Sequence, residues 1–191
     1  MREMNQTSSL LMRKPDGSQW ARTSTGLVTF GIAIFLFFPG LAVHESLHLV
    51  VINLVGGHGS LVVRPWKFAL FDLSLPSLHA QPTPALDLGR QLVVNFVGPA
   101  LAAVLFAIPL LYVRNRPLRL AVVASVAVLV FYAVIESAYL LDDAYLNVDF
   151  GVLVTPELNY GVPLAICAVA GILAGFGRAT TGVSTQKTRA R

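Results

Sequence analysis

The sequence predicts an all-α membrane protein with about four transmembrane helices and a short strand-like hairpin between the first two. Hydrophobic residues make up 55% of its 191 residues and charged residues only 13%, about half the charged share of a soluble domain. Four long apolar segments alternate with polar ones, and the length suits one compact bundle. A single cysteine excludes a disulfide framework and a cysteine-based metal site.

The first apolar segment covers residues 26–55 and follows a polar, basic segment, 1–25, which we expect to be a cytoplasmic tail. A helix of that length would span about 45 Å, more than the hydrocarbon core of about 30 Å. Pro39 is expected to kink it, because proline removes a backbone donor and crowds the preceding turn. Short β-rich runs at 60–63 and 68–71, bounded by prolines, predict the hairpin on the membrane face.

Three further apolar segments complete the predicted bundle: 91–113, 118–141 and 161–177. Residues 26–178 would therefore form the membrane core, and residues 179–191 a second basic cytoplasmic tail. With four spans, one side would hold eleven of the fourteen Lys and Arg residues (four, three and four in its three segments). The positive-inside rule then places both termini in the cytoplasm of a multi-pass integral membrane protein. Because this basic charge follows topology, the expected partner is the lipid bilayer and not nucleic acid.

The first span contains a His-Glu-x-x-His motif, formed by His44, Glu45 and His48. Its spacing puts two imidazoles one turn apart on one helix face, where both can bind the same Zn²⁺. Glu45 can then act as general base on the metal-bound water. A non-catalytic polar cluster is the competing interpretation, but ionisable residues are costly within a membrane helix and are usually functional there.

A catalytic zinc site needs a third protein ligand, and the sequence leaves several candidates open. Two more histidines, His58 and His79, lie in the hairpin segment. The acidic candidates reach the same membrane face as the motif because the third span runs parallel to the first: Glu136, Asp142, Asp143 and Asp149. A solvated acidic loop is the competing interpretation of the three aspartates.

The second span opens with Asn95, followed by Phe-Val-Gly-Pro, on the same side as the motif. An amide there could hydrogen-bond a substrate carbonyl or an oxyanion, which makes Asn95 a candidate catalytic residue. The Gly-Pro pair is equally well explained as a signal for the start of a helix.

Together these features resemble the site-2 protease family of intramembrane zinc metalloproteases, over roughly residues 30–165. The resemblance rests on the motif in a spanning helix, on the Asn-x-x-Gly-Pro sequence that begins at Asn95, and on a downstream aspartate. It implies an aspartate as third zinc ligand, for which Asp149 is preferred and Asp142 and Asp143 are alternatives. The chain departs from the family in lacking Leu-Asp-Gly, and in a loop charge that places the site at the outer face.

The resemblance implies an intramembrane zinc metalloendopeptidase that cleaves a membrane-embedded protein segment. Its partner would be a transmembrane protein or peptide, locally unwound and paired by β-addition with the strand-like residues 60–71. The alternative is a non-proteolytic membrane zinc-binding protein, a sensor or chaperone-like protein that retains the motif.

Overall fold

The computed structural model describes residues 17–68, 73–146 and 155–176. Its main elements, in chain order, are α1 (Gly17–Leu54), β1 (His58–Phe68), β2 (Leu73–Thr83), α2 (Leu88–Ala107), α3 (Arg116–Leu141) and α4 (Pro156–Phe176). Each of the four helices is long and apolar enough to cross a membrane. The predicted four long apolar helices, with a hairpin between the first two, are thus confirmed.

Helix α1 begins at Gly17, well before the apolar segment does. In its polar first turns, hydroxyl groups bond back to the helix: Thr23 donates to the carbonyl of Gln19 at 3.1 Å and Thr25 to that of Ala21 at 2.8 Å. The helix has 38 residues and includes Pro39. At about 57 Å it is longer than the hydrocarbon core of about 30 Å.

The end of α1 is set by a glycine pair. Gly56 adopts a φ of 84°, a left-handed conformation that side chains disfavour. The Gly57 N–H then bonds to the carbonyl of Ile52 at 2.9 Å, as in a Schellman closure. The chain therefore reverses into the hairpin immediately after the helix.

The hairpin pairs β1 with β2 from His58 opposite Thr83 to Phe68 opposite Leu73. The predicted run 60–63 lies in β1, but the second strand was misplaced: 68–71 starts at the end of β1, and its residues 69–71 lie outside the described residues. Strand β2 lies further along the chain, in a segment whose prolines indicated breaks.

The prolines of the hairpin all lie at the same kind of position in the strand pairing. Pro65 lies opposite Pro76, and Pro82 lies opposite Gly59. Two prolines cannot exchange N–H bonds, so these pairs occupy the non-hydrogen-bonded positions of an antiparallel ladder. Proline is tolerated there because no donor is required.

The helices alternate in direction, so α1 and α3 run parallel. Helices α1 and α4 approach each other closely: a Cβ on Gly26 would lie 2.9 Å from the carbonyl oxygen of Gly171, and the reverse distance is also 2.9 Å. Small residues allow such contact between membrane helices. At the other end, a π-helical turn, Asp142–Leu146, extends α3 into the segment that the sequence suggested as a loop.

Candidate metal centre

His44 and His48 lie on one face of α1 and are almost completely buried, with 1% and 5% of their surface exposed. Their Nε2 atoms are 2.6 Å apart. One helical turn separates the residues, so both rings reach the same point. The predicted pairing of the two imidazoles is therefore present.

Glu136 of α3 completes the group. Its Oε1 lies 3.2 Å from Nε2 of His44 and its Oε2 lies 3.1 Å from Nε2 of His48. These three residues could together hold a metal ion. Ligand atoms about 2.1 Å from a tetrahedral zinc are about 3.4 Å apart. The three distances between these four atoms, 2.6–3.2 Å, are shorter than that separation.

Two of the other acidic candidates, Asp142 and Asp143, are not in this group. Asp142 is buried, at 4% exposure, but it does not line the cavity beside the histidines. Asp143 is exposed, and Asp149 lies outside the described residues. Within the part of the chain that the structure describes, Glu136 is thus the carboxylate that joins the histidine pair.

Glu45 lies beside the group and is held by the hairpin. Its Oε2 accepts a hydrogen bond from the backbone N–H of Ala80 in β2, at 2.8 Å. Ala80 pairs with Leu61 at a non-hydrogen-bonded position, as the prolines do, so its backbone N–H points away from β1. The free edge of β2 therefore faces α1 at the motif.

Asn95 connects α2 to the backbone of α3. Its Nδ2 donates to the carbonyl of Glu136 at 3.2 Å, and its Oδ1 accepts from Nε2 of Gln91 at 2.7 Å. Gln91 was not predicted as a site residue, although its spacing from Asn95 puts both amides on one helix face. Asn95 thus braces Glu136 while also lining the cavity.

Two residues fix the imidazole rings. A Cβ on Gly98 would lie 2.8 Å from Nδ1 of His48, so α2 can pass this ring only with glycine there. The ring of Tyr132 stacks on His44 with centroids 5.3 Å apart, and its hydroxyl donates to the carbonyl of Asn159 at 2.7 Å. Nδ1 of His44 has no hydrogen-bond partner among the described residues, so the ring is held by this stacking and by the contacts of its Nε2. Tyr132 was also missed, although it lies one turn before Glu136.

These groups open into a cavity of about 390 Å³. All four helices and β2 contribute to its wall. The polar and aromatic lining residues are His44, Glu45, His48, Ser77, His79, Gln91, Asn95, Tyr132, Glu136, Tyr139, Asn159, Tyr160 and Phe38. Of the two hairpin histidines, only His79 is among them. The cavity is large enough for an extended peptide segment beside the histidine pair.

Comparison of the chain with protein-family models, curated proteins and solved structures finds no match. The likeness to site-2 proteases is accordingly a resemblance of short motifs.

Proposed function

We propose that this chain is an intramembrane zinc metalloendopeptidase, related in chemistry to the site-2 proteases. The observation that carries the proposal is the convergence of a three-residue metal-binding group and a fourth ionisable side chain, Glu45, in one cavity among membrane-spanning helices. Ionisable side chains are costly within a membrane helix and are usually functional there.

His44, His48 and Glu136 would hold the zinc, with Glu136 taking the place that the sequence analysis gave to Asp149. Two imidazoles and one glutamate are a known donor set of catalytic zinc sites, which leave a fourth position open. A bound zinc ion would lower the pKa of a water to near 7 and polarise a peptide carbonyl. The Glu136 side chain is 26% exposed, so a molecule in the cavity can reach its carboxylate.

Glu45 would act as the general base. Its carboxylate takes a proton from the attacking water as the new C–O bond forms, and it returns that proton to the amine nitrogen as the C–N bond breaks. Water is thereby split between the two new termini, and Glu45 is regenerated. The Ala80 N–H orients this carboxylate toward the cavity before substrate arrives.

The substrate would bind as an extended segment, because peptide bonds within a helix are shielded. The free edge of β2 supports this, since Leu78 and Ala80 both line the cavity. Like the prolines, both lie at non-hydrogen-bonded positions of the strand pair, so their backbone groups point away from β1. A locally unwound transmembrane segment can add to this edge as a further strand. β2 is therefore favoured for pairing over the 60–71 segment suggested by the sequence.

Replacing Glu45 by Gln tests the proposal. The full-length protein in lipid nanodiscs is incubated with a panel of synthetic transmembrane peptides that carry a Pro or Gly pair at mid-span, and products are identified by mass spectrometry. We expect Glu45→Gln to lower cleavage about 10²- to 10⁴-fold while bound zinc stays unchanged. Ser46→Ala is the matched control, because the Ser46 hydroxyl bonds, among the residues that the structure describes, only to the carbonyl of Ala42 in its own helix.

Cleavage by Glu45→Gln at the wild-type rate would overturn the mechanism. Wild-type protein that binds zinc stoichiometrically but cleaves no peptide of the panel would favour the alternative, a non-proteolytic zinc-binding sensor or chaperone-like membrane protein. The metal assay and the cleavage assay therefore separate the two functions.

A further inference from the structure

A second cavity, distant from the metal centre, lies between the first half of α1 and the last half of α4. It is a groove of about 440 Å³ with an almost entirely apolar lining. Gly26 and Gly171 form its floor where the two backbones approach, and the aromatic rings of Phe30 and Phe176 contribute to its walls. Both helices are candidate membrane spans.

The rim of this groove faces outward from the bundle, since Phe176 is 69% exposed. Water gains too few hydrogen bonds in an apolar space of this kind to fill it stably. At membrane depth the molecule available to fill such a groove is a lipid acyl chain.

One end of the groove carries positive charge. Arg22 lines that end, and Arg116 reaches the same region, where its Nη2 donates to the carbonyl of Leu173 in α4 at 3.3 Å. The acidic residues that the structure describes lie elsewhere, toward the hairpin and the metal centre: Glu45, Asp87, Glu136, Asp142, Asp143 and Glu157. Arg22 has no ion-pair partner among the described residues.

We propose that the groove is a binding site for an anionic phospholipid, with an acyl chain between Phe30 and Phe176 and the phosphate group at Arg22. The apolar lining of the groove would hold the acyl chain, and the guanidinium group of Arg22 would hold the negatively charged headgroup. Basic pockets between transmembrane helices bind anionic headgroups in this way. This site is independent of the proposed protease activity.

Charge selectivity is tested on the full-length protein, delipidated in mild detergent and offered phosphatidylglycerol or phosphatidylcholine with identical acyl chains. Retained lipid is counted by native mass spectrometry. We expect wild-type protein to prefer phosphatidylglycerol, and Arg22→Gln to reduce its affinity about fivefold, which corresponds to about 1 kcal/mol. Arg119→Gln is the control, because Arg119 is an exposed arginine at the same end that does not line the groove.

The acyl-chain position is tested by filling the groove. Ala168 lines it, whereas Ala165 is exposed on the same helix outside it. Ala168→Phe should lower the retention of both lipids, and Ala165→Phe should not. Three outcomes would each overturn the proposal: equal losses of affinity in the two arginine variants, undiminished lipid binding by Ala168→Phe, or no lipid retained by the wild type. The last result is expected if the chain's own terminal residues fill the groove.

Discussion

The Cα of Gly98 faces the imidazole of His48 so closely that a Cβ at this position would lie 2.8 Å from Nδ1 and 3.1 Å from Cε1. Glycine is therefore what allows α2 to cross α1 at a metal-binding residue. Gly98 belongs to the Asn-x-x-Gly-Pro sequence, which carries part of the family resemblance and is equally well explained as a helix start. Its steric role gives that motif a direct link to the metal centre.

We predict that Gly98→Ala weakens zinc binding about tenfold to a hundredfold, the usual effect of disturbing a residue that orients a ligand. The added methyl group must displace the His48 ring, which is buried and has little space to move. Competitive zinc titration of the purified protein measures this. Gly161→Ala is the control, because a Cβ there meets nothing within 4 Å. Equal affinities in both variants would contradict the steric role.

Removing the Glu136 carboxylate should cost more than a hundredfold in zinc affinity, because loss of a ligand exceeds the cost of disturbing its support. Glu136→Gln preserves the side-chain volume and should abolish stoichiometric zinc binding. Asp142→Asn, Asp143→Asn and Asp149→Asn should each retain the metal. Metal content after dialysis measures all four variants. If Asp149→Asn loses zinc while Glu136→Gln keeps it, Asp149 is the third ligand.

Ala80→Pro should slow peptide cleavage about tenfold to a hundredfold. It removes the N–H that orients Glu45, and a hydrogen bond to a charged group contributes about 1.5–3 kcal/mol. The strand pairing should survive, because position 80 shares the alternation of Pro76 and Pro82. Leu78→Pro removes another outward N–H, one without a bond to Glu45. Equal slowing by both substitutions would assign the effect to substrate pairing alone.

Tyr132 has two separable contacts. Tyr132→Phe removes only the hydrogen bond to the carbonyl of Asn159 and should lower the free energy of unfolding by about 1 kcal/mol, with zinc affinity unchanged. Tyr132→Leu also removes the ring stacked on His44 and should weaken zinc binding. Thermal denaturation in detergent and zinc titration distinguish these effects. Unchanged zinc affinity in Tyr132→Leu would show that His44 needs no stacking support.

Membrane orientation can be measured with introduced cysteines, because the native Cys167 is 1% exposed and should react slowly. A cysteine at position 115, between α2 and α3, should be shielded from an impermeant maleimide in intact cells. One at position 60 in β1 should be labelled. This outcome follows from the cytoplasmic termini predicted by loop charge. The opposite labelling pattern would place the metal centre near the cytoplasm.

The four spans were predictable because they depend on composition, which persists over whole segments. The second strand was not predictable, because the cost of Pro76 in a strand depends on the residue with which it pairs. That residue is Pro65. The nearness of Glu136 to the histidine pair depends on helix packing, which periodicity does not reveal. Glu136 did carry a signal, because a carboxylate in the apolar interior of a predicted span is costly without a partner.

The three side chains that could hold a metal ion belong to α1 and α3, with the hairpin and α2 between them in the chain. When α1 has been synthesised, the chain offers the two imidazoles of the motif, and the third donor arrives only when α3 has been made and has packed parallel to α1. Under the proposed function, stable metal capture would therefore report a completed helical core. A nascent chain that stops before Glu136 would carry the whole His-Glu-x-x-His motif without its third donor.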